Sequence, residues 1–317
     1  MIDRLGRDVH YLRLSVTERC NLRCRYCMPE EGICKKRHDE MLTEDEMIRA
    51  VEAAASLGFT KLRITGGEPL VKKNILSICR RTAAVAGIRE VCLTTNGTLL
   101  PDFARPLREA GVRRLNLSLD TLDADKYAYM TRRGSLSDAL RGLDAALGAG
   151  FDRVKVNAVL IGGFNDGEIP ALADLTRRFP VDVRFIELMP MYDGGDFGPE
   201  AYIPCSHVLE LLPEAEPEPD DGGVAQLYRL PGAMGRIGLI RPLSAHFCGD
   251  CTRLRLTADG HLRPCLHAPE GPSIKGMDFA AMRAAMEEAV LAKPAWHGVL
   301  TPDRRSQAGR NMNEIGG

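Results

Sequence analysis

Leu12-Arg13-Leu14-Ser15-Val16-Thr17-Glu18-Arg19-Cys20-Asn21-Leu22-Arg23-Cys24-Arg25-Tyr26-Cys27 is the stretch from which the rest of the chain can be read. It opens on a strand-like run, so the cysteines that follow at C-x3-C-x2-C fall in the loop after a first strand. Three thiolates so close together can converge on one metal centre. A structural zinc site closes with four ligands, and only three are present. A four-iron cluster takes cysteine thiolates at such short spacings, and three of them leave one iron open to a ligand that is not protein. An open iron beside a small molecule points to chemistry rather than storage.

Beyond this loop, short β-branched runs alternate with amphipathic helices. Strands are expected over 62–65, 91–94, 115–118, 154–159 and 183–187. Thr43-x-x-Glu46 is a capping box that opens a helix with Met47, Ile48, Val51, Ala54 and Ala55 on one face, closed by Gly58. Further helical stripes cover 75–85, 103–110, 136–147 and 169–179. This alternation means parallel strands joined by right-handed crossovers. Counting the first strand, it predicts six strand–helix units: an α/β fold, an incomplete (β/α)6 barrel rather than a full eight. After Glu187 the rhythm breaks. The acidic, proline- and glycine-rich stretch 213–223 reads as a solvated loop. Short strands at 236–240 and 253–256 and a helix over 279–292 follow. The expected division is a barrel over 1–225 and a C-terminal region over 226–317.

Composition narrows the function. The 317 residues are 44% hydrophobic and 27% charged, with a formal net charge of -1. No basic field is available for nucleic acid or a membrane surface, so an anionic ligand must be met by a local arginine cluster. The N-terminus has no apolar signal core, and no run is long enough to span a bilayer. A reducing cytoplasmic location is expected, where the ten cysteines include metal ligands before disulfides. Cys34, Cys79, Cys92 and Cys205 have no spacing partners and read as buried or incidental thiols.

In parallel barrels the chemistry sits at the C-terminal strand ends. Here those ends carry the cysteine loop, Thr65-Gly66-Gly67-Glu68-Pro69, Thr94-Thr95-Asn96-Gly97, Ser118-Leu119-Asp120, Lys155 with Asn157, and Glu187 with Met189-Pro190. Gly66-Gly67 allows a ligand close to the backbone, or makes a tight turn. Ser118 offers a hydroxyl to a ribose or amino-acid group, or caps a helix. Met189 lies against a base, or packs in the core. Arg13, Arg63 and Lys155 sit within apolar strands, where alternate residues face the lumen. Inward cations imply an anion such as a run of phosphates; outward ones would only be solvated.

A second group, Cys248-x2-Cys251-x13-Cys265, again offers three cysteines. His246, His261 or His267 would complete a zinc site. Beside an iron–sulfur first group, a second open cluster is the better expectation. Between the ligands, Arg253 and Arg255 fall on one face of a strand, a geometry that suits a polyphosphate. Arg304, Arg305 and Arg310 read as a solvated basic tail, and the Gly316-Gly317 end either threads into a narrow site or is disordered.

The first cysteine motif, with Tyr26 and then Gly66-Gly67-Glu68-Pro69, resembles the radical S-adenosylmethionine (SAM) enzymes. The stretch Phe247-Cys248-Gly249-Asp250-Cys251-Thr252-Arg253-Leu254-Arg255-Leu256-Thr257, with Cys265 and the glycine tail, resembles among them the GTP 3′,8-cyclase family, end to end. The resemblance implies two 4Fe-4S clusters: Cys20, Cys24 and Cys27 for the one that binds SAM, and Cys248, Cys251 and Cys265 for one that binds the guanine. It implies SAM contacts from Tyr26, Gly67, Ser118 and Met189. It implies GTP contacts from Arg13, Arg63, Thr94, Lys155, Arg253, Leu254 and Arg255. The implied reaction starts molybdenum cofactor (molybdopterin) biosynthesis. A 5′-deoxyadenosyl radical takes the ribose C3′ hydrogen and C3′ bonds to C8, giving (8S)-3′,8-cyclo-7,8-dihydroguanosine 5′-triphosphate. A reductant or electron-transfer protein, cyclic pyranopterin monophosphate synthase as recipient of the product, and a homodimer are the implied partners. Thr252 stands where the family usually has Asn, and 192–197 departs from the usual run. The competing readings are a radical SAM peptide-modifying maturase and a non-catalytic zinc-stabilised binding module.

Overall fold

The computed structural model describes residues 1–33, 36–191 and 196–316. Cys34, Gly317 and most of the divergent stretch 192–197 lie outside the described residues.

Six strand–helix units form the body. They are β1 (Tyr11–Ser15) with α1 (Glu44–Ser56), β2 (Lys61–Thr65) with α2 (Ile75–Ala83), and β3 (Glu90–Thr95) with α3 (Leu100–Glu109). Then come β4 (Arg114–Ser118) with α4 (Ala124–Thr131) and α5 (Leu136–Gly148), β5 (Arg153–Leu160) with α6 (Ile169–Arg178), and β6 (Val181–Glu187) with α7 (Ser206–Leu211). The remainder comprises β7 (Glu216–Glu218), β8 (Gln226–Arg229), β9 (Ile237–Ile240), β10 (Arg253–Leu256), β11 (Leu262–Arg263), α8 (Phe279–Leu291) and α9 (Met312–Ile315). The capping box forms as expected: Glu46 N–H donates to Thr43 Oγ1 (3.2 Å), and Thr43 N–H donates back to the Glu46 carboxylate (2.8 Å).

The strand order is β11-β10-β1-β2-β3-β4-β5-β6-β9-β8-β7. Strands β1 to β6 are parallel neighbours in sequence order, β10 joins parallel to β1, and β9 joins parallel to β6. The end strands β11 and β7 do not pair with one another among the described residues, so the barrel is incomplete. C-terminal strands thus extend both edges of the barrel sheet.

Leu12, Leu14, Leu62, Ile64, Leu254 and Leu256 are fully buried in the main apolar core. The alternate residues face a polar lumen. Arg13 is in register with Arg63 on β2 and with Arg255 on β10. Three guanidinium-bearing residues therefore stand side by side on neighbouring strands, about 4.8 Å apart along the sheet. Such like-charge neighbours are destabilising unless an anion meets them.

The expected loop over 213–223 is corrected in part. Glu216–Glu218 pairs antiparallel with β8, and Asp221 pairs with Arg236 (3.0 Å) and Arg153 (3.4 Å). Two cations at the sheet edge draw the acidic segment in. Helices α4, α7 and α9 carry no long apolar stripe, which is why periodicity did not reveal them.

Candidate active site

One cavity of about 430 Å3 runs through the lumen. It is lined by Arg13, Cys20, Cys24, Tyr26, Cys27, Arg63, Gly67, Thr94, Ser118, Lys155, Met189, Cys248, Cys251, Arg253, Arg255 and Cys265. Of the residues expected at the site, Leu254 alone is placed elsewhere. Its side chain is fully buried in the core, because strand alternation turns it away from the face that carries Arg253 and Arg255.

The two cysteine groups lie at opposite ends of the lumen. Cys20, Cys24 and Cys27 follow the C-terminal end of β1. Cys251 precedes β10, which runs parallel to β1, and Cys265 follows the antiparallel β11. The arginine layer lies between the two groups.

At the first end, Cys20, Cys24 and Cys27 are free thiols, and no fourth cysteine joins them among the described lining residues. Leu22 N–H already donates to Cys20 Sγ (3.3 Å). Burial pushes Cys20 up to about 11 and Cys27 to about 12. These thiols keep their protons until a metal displaces them. A three-thiol set with close backbone beside it fits an iron–sulfur cluster with one open iron. The close backbone is Gly67, where a Cβ would sit 2.5 Å from Arg19 O and 2.6 Å from Glu18 O. Tyr26 donates its hydroxyl to Asp120 (2.9 Å), whose carboxyl burial raises to about 6.

Two of the polar strand ends serve the scaffold instead. Glu68 is buried and accepts from Asn96 N–H (2.8 Å), Leu70 N–H (3.0 Å) and Thr95 Oγ1 (2.8 Å), tying two strand-end loops together. Glu187 is fully buried and accepts from the N–H groups of Leu243 (2.9 Å), Ser244 (3.0 Å) and Cys205 (3.2 Å). Neither faces the cavity.

The middle of the lumen is cationic. Burial, then neighbouring Arg255, holds Arg13 well below its usual range. Burial, then Arg253, brings Arg255 down to about 10. Lys155 is brought to about 7 by burial and then by Arg184, although Asp182 lies 3.8 Å away. Arg63 is held on two sides: Tyr11 accepts from its Nε, and Thr94 Oγ1 accepts from Nη1 (3.2 Å). Tyr11, Lys61, Arg114, Asn116 and Arg184 also line the cavity and were missed. Applying the inward alternation to every strand would have found them, since each lies two residues from another lumen position.

At the second end, Cys248 and Cys265 are also free thiols. Cys251 is lowered despite burial, because Lys293 and Arg253 outweigh it. Of the histidines weighed for zinc, only His267 lines the cavity; His261 is paired with Glu270 (2.9 Å), and His246 stacks edge-on with His297. Cys79, Cys92 and Cys205 are buried.

The tail is solvated only in part: Arg304 and Arg305 are exposed, but Arg310 is not. Arg310 is largely buried, pairing with Asp259 (2.7 Å) and Glu18 (3.7 Å) and also with Glu270. Three carboxylates on folded elements capture it, which local composition could not show. Beyond it, Gly316 O accepts from Arg255 (2.9 Å) and Arg13 (3.4 Å). A Cβ at Gly316 would lie 2.8 Å from Thr65 Cγ2, and its φ of +81° favours glycine.

Comparison with known proteins places this geometry in a family. The Radical SAM superfamily model matches residues 14–176, and Molybdenum Cofactor Synthesis C matches 181–298. A GTP 3′,8-cyclase from Alkaliphilus oremlandii is 45% identical over 323 residues, covering 100% of both chains. One from Pelotomaculum thermopropionicum is 46% identical over 330 residues, again covering 100% of both. Among solved structures, the crystal structure of Streptococcus suis SuiB matches with a TM-score of 0.65 at 14% identity, covering 92% of this chain and 67% of that one. That likeness shows the fold alone. Among the described residues, no helix is long and apolar enough to cross a membrane. A radical SAM match brings with it one 4Fe-4S cluster and SAM. The chain belongs to the GTP 3′,8-cyclase family of the radical SAM superfamily.

Proposed function

We propose that the chain converts GTP to (8S)-3′,8-cyclo-7,8-dihydroguanosine 5′-triphosphate, the first step of molybdenum cofactor biosynthesis. The observation that carries this is the layer of Arg255, Arg13 and Arg63 between two three-cysteine groups. Full-length cyclase relatives favour it over a peptide-modifying maturase.

Cys20, Cys24 and Cys27 would hold the first 4Fe-4S cluster, which, given one electron from a reductant, would supply from SAM methionine and a 5′-deoxyadenosyl radical able to take the C3′ hydrogen of GTP. Tyr26, Gly67, Ser118 and Met189 would hold SAM at that end. Arg13, Arg63, Thr94, Lys155, Arg253 and Arg255 would hold the GTP. Bonding of C3′ to C8, with uptake of one electron and one proton, leaves a product isomeric with GTP. A second 4Fe-4S cluster at Cys248, Cys251 and Cys265 would seat the guanine at the far end. Placement is the protein's main contribution, because a primary carbon radical reacts with whatever is nearest. The reading further includes a cytoplasmic location, an electron-transfer protein as reductant, cyclic pyranopterin monophosphate synthase as recipient of the product, and a homodimer.

The test is one anaerobic reaction of reconstituted protein with SAM, GTP and a strong reductant, followed by mass spectrometry. Formation of 5′-deoxyadenosine and a GTP isomer together is the expected result. Deoxyadenosine without the isomer would reject GTP as substrate.

Two further outcomes follow from the lumen. Tyr11→Phe keeps the ring but frees Arg63 Nε, so GTP affinity should fall by about 1–2 kcal/mol, roughly five- to thirty-fold. Tyr11→Phe should add nothing in an Arg63→Lys background, which a double-mutant cycle would check. Lys155, held at about 7, should regain its proton beside a triphosphate. GTP binding at pH 8 should then take up a proton, and affinity should fall as pH rises above 7. Calorimetry in buffers of different ionisation enthalpy measures this, and Lys155→Met should abolish it.

A further inference from the structure

Lys293 follows α8, and its side chain reaches back to the second cysteine group. It is only 7% exposed. Its ammonium donates to Arg253 O (2.7 Å) and Pro264 O (2.7 Å) and lies 3.6 Å from Cys251 Sγ. These three contacts match the three protons of an ammonium. Arg253 lies two residues after Cys251, and Pro264 directly precedes Cys265. One side chain, distant from both in sequence, therefore ties together the two segments that carry these cysteines. Arg7 braces the arrangement from behind. It donates to Cys248 O (2.9 Å) and Lys293 O (3.4 Å), and it pairs with Asp3 (2.6 Å). No carboxylate forms an ion pair with Lys293 among the described residues. A buried ammonium is costly without a counter-charge, and the nearest group able to carry one is the Cys251 sulfur.

We propose that Lys293 is a positioning residue for the second cluster, holding its two ligand segments together and favouring its reduced state. This rests on the second-cluster reading given under the proposed function. A four-iron core with three thiolates carries net negative charge, and reduction adds one more. A cation close to one sulfur stabilises the reduced form more than the oxidised form. Partners outside the ligand set commonly tune a metal site in this way.

The test uses full-length protein carrying Cys24→Ala, so that the second cluster gives the only signal. Iron content and an EPR-monitored redox titration are compared for Lys293, Lys293→Met and Lys293→Arg. Lys293→Met should lower the midpoint potential by at least 59 mV, a tenfold change in the oxidised-to-reduced ratio. Lys293→Arg should stay near the parent. Iron lost from the Met variant but kept by the Arg variant also supports the proposal. An unchanged potential with full iron in Lys293→Met would overturn it, as would iron loss from both variants. A parent that binds no iron rejects the second cluster itself, which separates that failure from this one.

Discussion

Cys24→Ala is expected to abolish SAM cleavage, whereas Cys265→Ala should leave cleavage intact and stop cyclisation. The contrast follows from the placement of the two groups at opposite ends of one lumen. Removing Cys24 leaves two thiols at the β1 end, and no other cysteine lines the cavity there among the described residues. The open iron that would bind SAM then has no cluster to belong to. Removing Cys265 disturbs only the far end. Each variant should hold about four iron atoms in place of about eight. The readouts are iron content, 5′-deoxyadenosine and the GTP isomer. A GTP isomer from Cys265→Ala would refute the role given to the second group, and deoxyadenosine from Cys24→Ala would refute the first.

Arg255→Ala should weaken GTP binding by about 1.5–3 kcal/mol, roughly ten- to a hundred-and-fifty-fold. Two effects oppose one another here. Losing a guanidinium removes a charge-assisted contact, but it also relieves repulsion on Arg13, whose charge burial and Arg255 now disfavour. The contact should win, because a bound triphosphate already offsets the repulsion between the guanidiniums, so the loss leaves phosphate oxygens without a charge-assisted partner. The same substitution frees Gly316 O from its 2.9 Å hydrogen bond, so SAM cleavage should be measured alongside. Leu254→Met is the control, since that side chain points into the core and a volume-conserving change costs under about 1.5 kcal/mol. Binding is measured anaerobically without SAM. Affinity within twofold of the parent for Arg255→Ala would remove the arginine layer from the GTP site.

Local signals carried much of the architecture. β-branched runs and capped amphipathic stripes were readable because they depend on near neighbours: the Thr43–Glu46 box needs only four consecutive residues. That Arg253 and Arg255 share a face, and that Arg13 and Arg63 interrupt apolar strands, was legible because alternation is a property of the strand itself; that this face turns inward was decided by the sheet. The same rule turns the Leu254 side chain into the core once the strand is placed. Glu68, Glu187 and Arg310 were not legible. The donors that reach the two glutamates from other loops, and the carboxylates that hold Arg310, lie far away in sequence, and only the fold makes a polar strand end or a basic tail part of the scaffold.

The sequence by itself determined the two cysteine triplets, the six-unit α/β rhythm and the resemblance to cyclases, since each is a matter of residue spacing. The tertiary structure alone decided that β10 runs parallel to β1. That direction puts the second triplet at the opposite end of the lumen from the first and brings Arg255 into register with Arg13. It also decided that Lys293 reaches Cys251 and that Gly316 reaches the arginine layer. Spacing cannot give these contacts, because a strand's partner and direction are chosen by the burial of its apolar face against the whole helix layer, not by its own residues.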